Sequence, residues 1–182
     1  PKDAIKNGIA LVTEERRANG IFGILNITEN TTISNLDKYK KFWFFLSDKQ
    51  MKKDTKWSID AMRIKTPTQH TQIRTLSGGN QQKVFLARWL NTEADILIFD
   101  NPTQGVDVGA KAEIYQLILG FAKEGKTVIL NSLEIPEIQK VSDRCVVFYD
   151  GGIAKIFSHN EINERDVMMY STGAATKETC EV

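Results

Sequence analysis

The sequence predicts an α/β fold in which a parallel β-sheet is flanked by helices. From Leu76 to Leu133 the residue patterns follow the order helix, strand, helix, strand, which is the order of a parallel sheet with crossover helices. The two strands, DILIFD at 95–100 and TVILNS at 127–132, are almost continuously apolar. Strands of this kind are typical of a sheet that is covered on both faces. A length of 182 residues corresponds to one domain or slightly more.

The amino-terminal part of the chain predicts short elements. In chain order these are a helical turn at 3–6, a strand at 8–12, a charged loop at 13–21, two or three short helices within 29–64 and a polar loop at 65–75. The segment 29–64 shows no strand alternation. Within it, Ser34–Asn35 and Ser58 are the candidate helix caps.

The carboxyl-terminal part predicts longer elements and one hairpin. In chain order these are a helix at 76–91, an amphipathic helix at 110–125, a short helix at 135–141, a hairpin at 144–157 that turns at 150–152, and one weak helix after Ser158. Gly125 ends the amphipathic helix, as glycine commonly does after the last helical turn.

The composition excludes several classes of function. Lysine and arginine number 24 against 23 aspartates and glutamates, and this balance gives no reason to expect a nucleic-acid surface. No apolar stretch has the length of a membrane span, and no signal peptide is visible. The two cysteines, Cys145 and Cys180, form no disulfide framework and fit a reducing cytoplasmic setting.

The stretch LSGGNQQK predicts an anion site at the start of a helix. Ser77 is placed to cap a helix that begins near Asn80. Gly78 and Gly79 let the backbone approach a ligand closely, and the N–H groups at a helix start attract a phosphate. The simpler alternative is a capped helix preceded by a glycine-rich turn.

The stretch ILIFDNP predicts a magnesium ligand followed by an unusual residue. Asp100 ends an apolar strand, which is a common way to hold Mg²⁺ beside a nucleotide. The next residue is Asn101, at a position where many such sites have a second acidic residue that polarises the attacking water. An amide has no useful basicity for that role. The alternative is that Asn101 only ends the strand before Pro102.

The order of the motifs resembles that of ATP-binding-cassette (ABC) ATPases. After the two stretches above come GVDVGAK at 105–111 and NSLEIPEIQKVSDRCVVFYDGGI at 131–153. Residues 3–173 resemble the second ATP-binding domain of the ribose-, galactose- and xylose-type sugar importers. The resemblance implies a partial P-loop NTPase core with an inserted α-helical subdomain. The implied regions are 1–28, the start of the core; 29–75, the helical subdomain; 76–160, the core from signature helix to switch region; and 161–182, a carboxyl-terminal helix and disordered tail.

The resemblance also implies roles for individual residues. Ser77, Gly78, Gly79 and Asn80, the signature, would contact the γ-phosphate of an ATP held by a partner domain. Asp100 would hold Mg²⁺ through water, and Asp107 would lie in the D-loop between the two domains. Glu14 stands at the Q-loop position that links the nucleotide to the membrane partner.

The implied cofactors are ATP and Mg²⁺. The implied partners are the first ATP-binding domain of the same polypeptide, the transmembrane permease subunits and, indirectly, a periplasmic or lipoprotein sugar-binding protein, at the cytoplasmic face of the membrane. The alternatives are a non-hydrolysing regulatory module of the same fold, a purine or nucleoside importer subunit, and a soluble ABC protein of translation or DNA repair.

Three departures from the family pattern predict a degenerate site. No G-x-x-x-x-G-K-[ST] loop is present, so we expect the isolated chain to be inactive. Asn101 replaces the usual glutamate, and Leu133 occupies the switch position that usually carries histidine. The resemblance implies that the strand of the absent loop lies beside residues 96–99. Without that strand, residues 96–99 are expected to expose an apolar edge, and the chain is expected to self-associate or to rearrange its sheet.

The stretch KKFWFFLSDKQ at 40–50 is densely aromatic. Two interpretations remain open at the level of sequence. It is either a docking surface for a transmembrane coupling helix or the small core of the helical subdomain.

Overall fold

The computed structural model of the chain describes residues 2–14, 20–42 and 45–177, and the side chains as far as residue 175. Cys180 and residues 43–44 of the aromatic stretch lie outside the described residues. The chain divides into two compact units, residues 1–131 and 132–182.

The first unit contains one three-stranded sheet and five helices in its described part. Its elements are α1 (Lys2–Lys6), β1 (Ile9–Val12), α2 (Ile27–Thr32), β2 (Lys40–Lys41), β3 (Phe45–Leu46), α3 (Asp48–Ala61), α4 (Gly78–Leu90), β4 (Ile96–Asp100), α5 (Val108–Lys123) and β5 (Thr127–Asn131). Short 3₁₀ helices follow α2 and precede α4, at Ile33–Tyr39 and Ile73–Thr75.

The sheet of the first unit is parallel, as the sequence predicts, with the strand order β1-β4-β5. Its register pairs Ile9 with Ile96, and Ile96 with Thr127. Because β4 is the central strand, both of its edges are hydrogen-bonded. The predicted exposed edge at residues 96–99 is therefore wrong, and with it the reason for self-association through this strand. The error came from placing the absent strand next to β4, whereas β1 and β5 already occupy both sides.

Helices pack against the sheet through alternating apolar side chains. Leu97 and Phe99 of β4 are buried, and the Phe99 ring stacks on Phe121 of α5 with 6.3 Å between the ring centroids. Side chains of successive strand residues point to opposite faces. Leu11 and Ile129 lie on the other face and are about half exposed, at 45% and 51%.

The helical region between β1 and α4 contains an unexpected β-hairpin. β2 and β3 pair antiparallel over two residues each, in a segment for which the sequence predicts helices only. The cap predictions there are also wrong, because Asn26 caps α2 and Ser47 caps α3. Asn35 instead donates a hydrogen bond to the carbonyl of Asn91, and Ser58 is buried inside α3.

A buried arginine joins α4 to the segment before it. The Arg88 guanidinium donates hydrogen bonds to the carbonyl oxygens of Gly20 and Asn30 and to Oδ1 of Asn30. Burial lowers the pKa of Arg88 to about 10. These bonds fix the carboxyl-terminal half of α4 against α2, which positions the amino-terminal end of α4.

The second unit is a small α/β assembly. Its elements are α6 (Ile135–Val141), β6 (Arg144–Tyr149), β7 (Gly152–Ser158), α7 (Glu164–Ser171) and α8 (Ala174–Lys177). β6 and β7 form the predicted hairpin, with Asp150 and Gly151 at positive φ in the turn. The prediction of a single weak helix after Ser158 is wrong, because α7 packs Val167 into a core with Cys145 and Phe157 and α8 follows it.

Among the described residues, no helix combines the length and the apolar character that crossing a membrane requires.

Candidate functional site

The signature residues lie at the amino-terminal end of α4. Ser77 caps this helix as predicted, since its Oγ accepts a hydrogen bond from the Asn80 N–H at 3.4 Å. The same oxygen accepts a second hydrogen bond from Asn80 Nδ2 at 2.9 Å. With both lone pairs used, the Ser77 hydroxyl is oriented to donate its hydrogen outward. Ser77 is exposed, so this donor faces solvent.

Asn80 connects the signature to the end of the helical region. Its Oδ1 accepts a hydrogen bond from the Lys65 N–H at 2.8 Å, while its Nδ2 is bound to Ser77. Both ends of the Asn80 amide are thus engaged within the chain. The predicted phosphate contact of Asn80 would have to use its backbone N–H or displace one of these bonds.

A close helix contact brings the signature next to Asp107. A Cβ atom added to Gly79 would lie 2.5 Å from Cβ of Ala110 on α5 and 3.9 Å from Oδ2 of Asp107. Asp107 caps α5, since its Oδ1 accepts from the Ala110 N–H at 3.0 Å. Only glycine fits at position 79, and this allows the starts of α4 and α5 to lie side by side.

The two helix starts line one cavity of about 220 Å³. Of the predicted site residues it contacts Ser77, Gly79, Asn80 and Asp107. Gly78 is the first residue of α4, at the same end of the helix. The free N–H groups of two helix starts and the Ser77 hydroxyl make this cavity suitable for an anion.

The lining of the cavity includes an ion pair that was not predicted from the sequence. Lys83 is buried and forms an ion pair with Glu113 of α5, and its Nζ also donates to the Arg63 carbonyl at 3.1 Å. The hydrogen bond from Lys83, and then its charge, lower the pKa of Glu113. This pair ties α4, α5 and the end of α3 together beneath the signature.

A second group of predicted residues lies at the carboxyl end of the sheet. Asp100 ends β4, and its Oδ1 accepts a hydrogen bond from Nδ2 of Asn131, the last residue of β5, at 2.7 Å. Asn101 donates its N–H to the Asn131 carbonyl at 2.9 Å and adopts a left-handed backbone with φ of 42°. Asparagine adopts this conformation more readily than most residues.

Glu14 and Leu133 complete the predicted set. Glu14 follows β1 by two residues and is partly buried. Since parallel strands end at the same edge of a sheet, Glu14, Asp100 and Asn131 belong to one edge. Leu133 belongs to the second unit, where its side chain is 80% exposed.

The carboxylate of Asp100 fits a magnesium ion only as one ligand among several. The described residues contain no cluster of three or more histidine, cysteine or acidic side chains that would hold a metal by itself. Mg²⁺ commonly takes one or two carboxylates and completes its shell with phosphate oxygens and water. The Asn131 amide occupies Oδ1 of Asp100. Oδ2 therefore remains available as one carboxylate ligand of Mg²⁺.

The missed residues differ in the signal that the sequence offers for them. Asn131 ends an apolar strand with a polar residue, which is the pattern that identified Asp100, and could have been found in the same way. Lys83 is part of the quoted motif, but nothing in the pattern shows that it is buried. Glu113 and Ala110 become relevant only because α5 lies beside α4.

Known proteins are similar to nearly the whole of this chain. The galactose/methyl galactoside import ATP-binding protein MglA of Fusobacterium nucleatum is 52% identical over 171 residues, which are 94% of this chain and 34% of that protein. The chain thus spans about a third of the length of this relative.

Two solved structures share the fold. MJ1267, an ATP-binding cassette of an ABC transporter in its ADP conformation, gives a TM-score of 0.76 over 95% of this chain and 71% of that chain, at 19% identity. The dimeric cassette MJ0796 bound to ADP and Pi gives 0.69 over 83% of this chain and 62% of that chain, at 23% identity. The sequence pattern of the ABC transporter family matches residues 2–104, more than half of the chain. The chain therefore belongs to the ABC transporter family.

Proposed function

We propose that this chain is part of the second ATP-binding domain of an ABC importer for a galactose-type sugar, and that it contributes its signature to an ATP bound by the other domain. The sugar is proposed from the 52% identity to a galactose/methyl galactoside import protein. The observation that carries the proposed role is the cavity at the starts of α4 and α5, which is lined by Ser77 and by the first residues of both helices.

The chemistry of this cavity suits a phosphate group. The Ser77 hydroxyl and the N–H groups of Gly78 and Gly79 would donate to the γ-phosphate, and the positive end of α4 would add to the attraction. Such fixed donors stabilise the charge that develops on the phosphate during hydrolysis. Asp107, which caps α5, would lie at the interface with the partner domain, and the cavity would open toward that domain.

The domain's own catalytic position is proposed to turn over slowly or not at all. An amide at Asn101 cannot accept a proton from the attacking water. The leucine at position 133 cannot form a hydrogen bond with a phosphate. Both residues therefore favour hydrolysis at the partner's ATP site, which this signature completes, over hydrolysis at the domain's own ATP site.

Magnesium would be held by Asp100, with Asn131 fixing the orientation of the carboxylate. Bound there, the ion would neutralise charge on the nucleotide phosphates. Glu14, at the Q-loop position on the same sheet edge, would connect that nucleotide to the membrane partner.

The proposed partners follow from the same assignment. They are the first ATP-binding domain of the same polypeptide, the transmembrane permease subunits and, indirectly, a sugar-binding protein outside the membrane. The proposed location is the cytoplasmic face of the membrane, where the domain is held by the permease.

The test is the ATPase rate of the complete ATP-binding subunit assembled with its permease. Ser77→Arg places bulk and a long side chain in the cavity, and we expect the rate to fall by about 10²-fold or more. The matched control is Gln116→Arg, which adds the same side chain at an exposed position of α5 outside the cavity. Asn101→Glu should leave the rate nearly unchanged.

The outcomes separate the two parts of the proposal. Turnover that survives Ser77→Arg would contradict the role of the signature in the partner's site. A large gain from Asn101→Glu would show that the amide alone limits the domain's own site, and that this site contributes to turnover.

A further inference from the structure

The side chain of Asn80 bridges the signature serine and the segment that follows α3. Its Nδ2 lies 2.9 Å from Oγ of Ser77, and its Oδ1 lies 2.8 Å from the backbone nitrogen of Lys65. A backbone N–H can only donate, so the amide atom that faces Lys65 must be the oxygen. The atom that faces Ser77 is then the amide nitrogen, which can also only donate. The orientation of the Asn80 amide is therefore fixed by the chain itself.

This bridge determines how the Ser77 hydroxyl can bind a ligand. A hydroxyl group has one hydrogen to donate and two lone pairs that accept. Both lone pairs of Ser77 Oγ face donors of residue 80, which are Nδ2 at 2.9 Å and the backbone N–H at 3.4 Å. Ser77 is exposed and lines the cavity. The hydroxyl hydrogen is thus the part of Ser77 that is left for a ligand, and it requires an acceptor such as a phosphate oxygen.

We propose that Asn80 acts on the phosphate through Ser77, as a positioning residue that keeps the serine hydroxyl in its donor orientation. This inference rests on the proposed function, in which Ser77 donates to the γ-phosphate of an ATP bound by the partner domain. A donor that is already oriented before ATP arrives stabilises developing charge better than one that must turn. The competing role of Asn80 is a direct phosphate contact through the second hydrogen of Nδ2.

The isosteric change Asn80→Asp reverses the bridge. One carboxylate oxygen still accepts from the Lys65 N–H, but the atom that faces Ser77 becomes an acceptor. The Ser77 hydroxyl then donates to this carboxylate, in a charge-assisted hydrogen bond that is stronger than a neutral one. Its hydrogen therefore points away from the cavity. Asn80→Asp should remove the donor from the ligand as completely as Ser77→Ala does.

Stability separates this positioning role from a purely structural one. A carboxylate in the first turn of a helix is favoured by the positive end of the helix dipole. The full chain with Asn80→Asp should therefore unfold at a urea concentration at least as high as the starting chain, measured by circular dichroism at neutral pH. A residue that only held the helix start together would lose turnover only along with stability.

Turnover is measured on the complete ATP-binding subunit assembled with its permease. Ser77→Ala removes the donor and should lower kcat about 10²-fold. Asn80→Ala lets the hydroxyl rotate among three staggered orientations and should lower kcat about threefold or more. KM should change little in both variants, because the donor acts mainly on charge that develops during hydrolysis. Gln116→Ala, the control, removes an amide from an exposed position of α5 outside the cavity and should leave kcat unchanged.

Combining the variants shows whether the two residues act as one unit. In the Ser77→Ala subunit, Asn80→Ala should change kcat by less than about twofold. Asn80→Asp in the same subunit adds only a negative charge beside the phosphate, since no hydroxyl remains to be turned. Its effect there should be at least about tenfold smaller than its effect in the subunit that retains Ser77.

Three results would overturn the inference. Equal effects of the Asn80 variants with and without Ser77 would show that Asn80 contacts the phosphate directly. An unchanged kcat in Ser77→Ala would show that the hydroxyl is not used. A lower urea midpoint in Asn80→Asp, together with its loss of turnover, would reduce Asn80 to a structural residue. Turnover that survives Ser77→Arg would instead overturn the proposed function and this inference with it, so the two failures are distinguishable.

Discussion

The contact between Gly79 and Ala110 determines how closely the signature approaches Asp107, and it can be tested by moving one methyl group. An ideal Cβ on Gly79 lies 2.5 Å from Cβ of Ala110. Carbon atoms that are not bonded prefer a separation of about 3.5–4.0 Å. Gly79→Ala therefore forces α4 and α5 apart by about 1 Å.

The expected stability change follows from two opposing effects. Overpacking costs about 1–3 kcal/mol, and the helix preference of alanine over glycine offsets at most about 0.5–1 kcal/mol. We therefore expect Gly79→Ala to lower the free energy of unfolding by about 1–2 kcal/mol. The reverse change, Ala110→Gly, should cost about 0.5–1 kcal/mol through helix preference alone.

The double variant Gly79→Ala/Ala110→Gly transfers the methyl group from one helix to the other. Its free energy of unfolding should lie within about 1 kcal/mol of the starting chain, which corresponds to a coupling of about 1–2 kcal/mol between the sites. Urea unfolding monitored by circular dichroism measures all three variants. Gly120→Ala is the control, since nothing lies within 4 Å of its ideal Cβ, and it should stabilise α5 by about 0.5–1 kcal/mol. Additive losses in the double variant would refute the reasoning.

Two further predictions concern the residues beneath and beside the cavity. Glu113→Gln leaves buried Lys83 without its carboxylate and should cost about 1–3 kcal/mol at neutral pH by urea unfolding. Lys83 lowers the pKa of Glu113 in the folded chain. The ion pair therefore stabilises the fold fully above the ordinary pKa of a glutamate, and this stabilisation is lost as the pH falls through the lowered pKa of Glu113. The difference between Glu113→Gln and the starting chain should therefore shrink in acid, and a constant difference would argue against the ion pair. At position 101, where φ is 42°, the alanine variant should be about 1 kcal/mol less stable than the glycine variant, since both lack the amide and only glycine is unstrained there. Equal thermal unfolding of the two would show that no strain is stored at this turn.

The sequence was sufficient where a local pattern has one physical solution. The apolar run before Asp100 was predicted to be a strand and is one, with Leu97 and Phe99 buried. Ser77 was predicted to cap the helix that follows it and does so. The hairpin of Phe45 was missed because two strands of two residues are too short to show alternation. The caps at Ser34–Asn35 and Ser58 were wrong because Asn26 and Ser47 also had the residue types that cap helices, and tertiary packing decided among them.

The sequence by itself determined the fold class, the signature helix and the end of β4 at Asp100, because each depends on periodicity and on neighbours along the chain. Tertiary structure alone decided that β4 is the central strand, that position 79 has no room for a Cβ beside Ala110, and that buried Lys83 meets Glu113. These features depend on residues that are distant in sequence, such as Ala110 on α5. Their positions are fixed by packing, which no local pattern encodes.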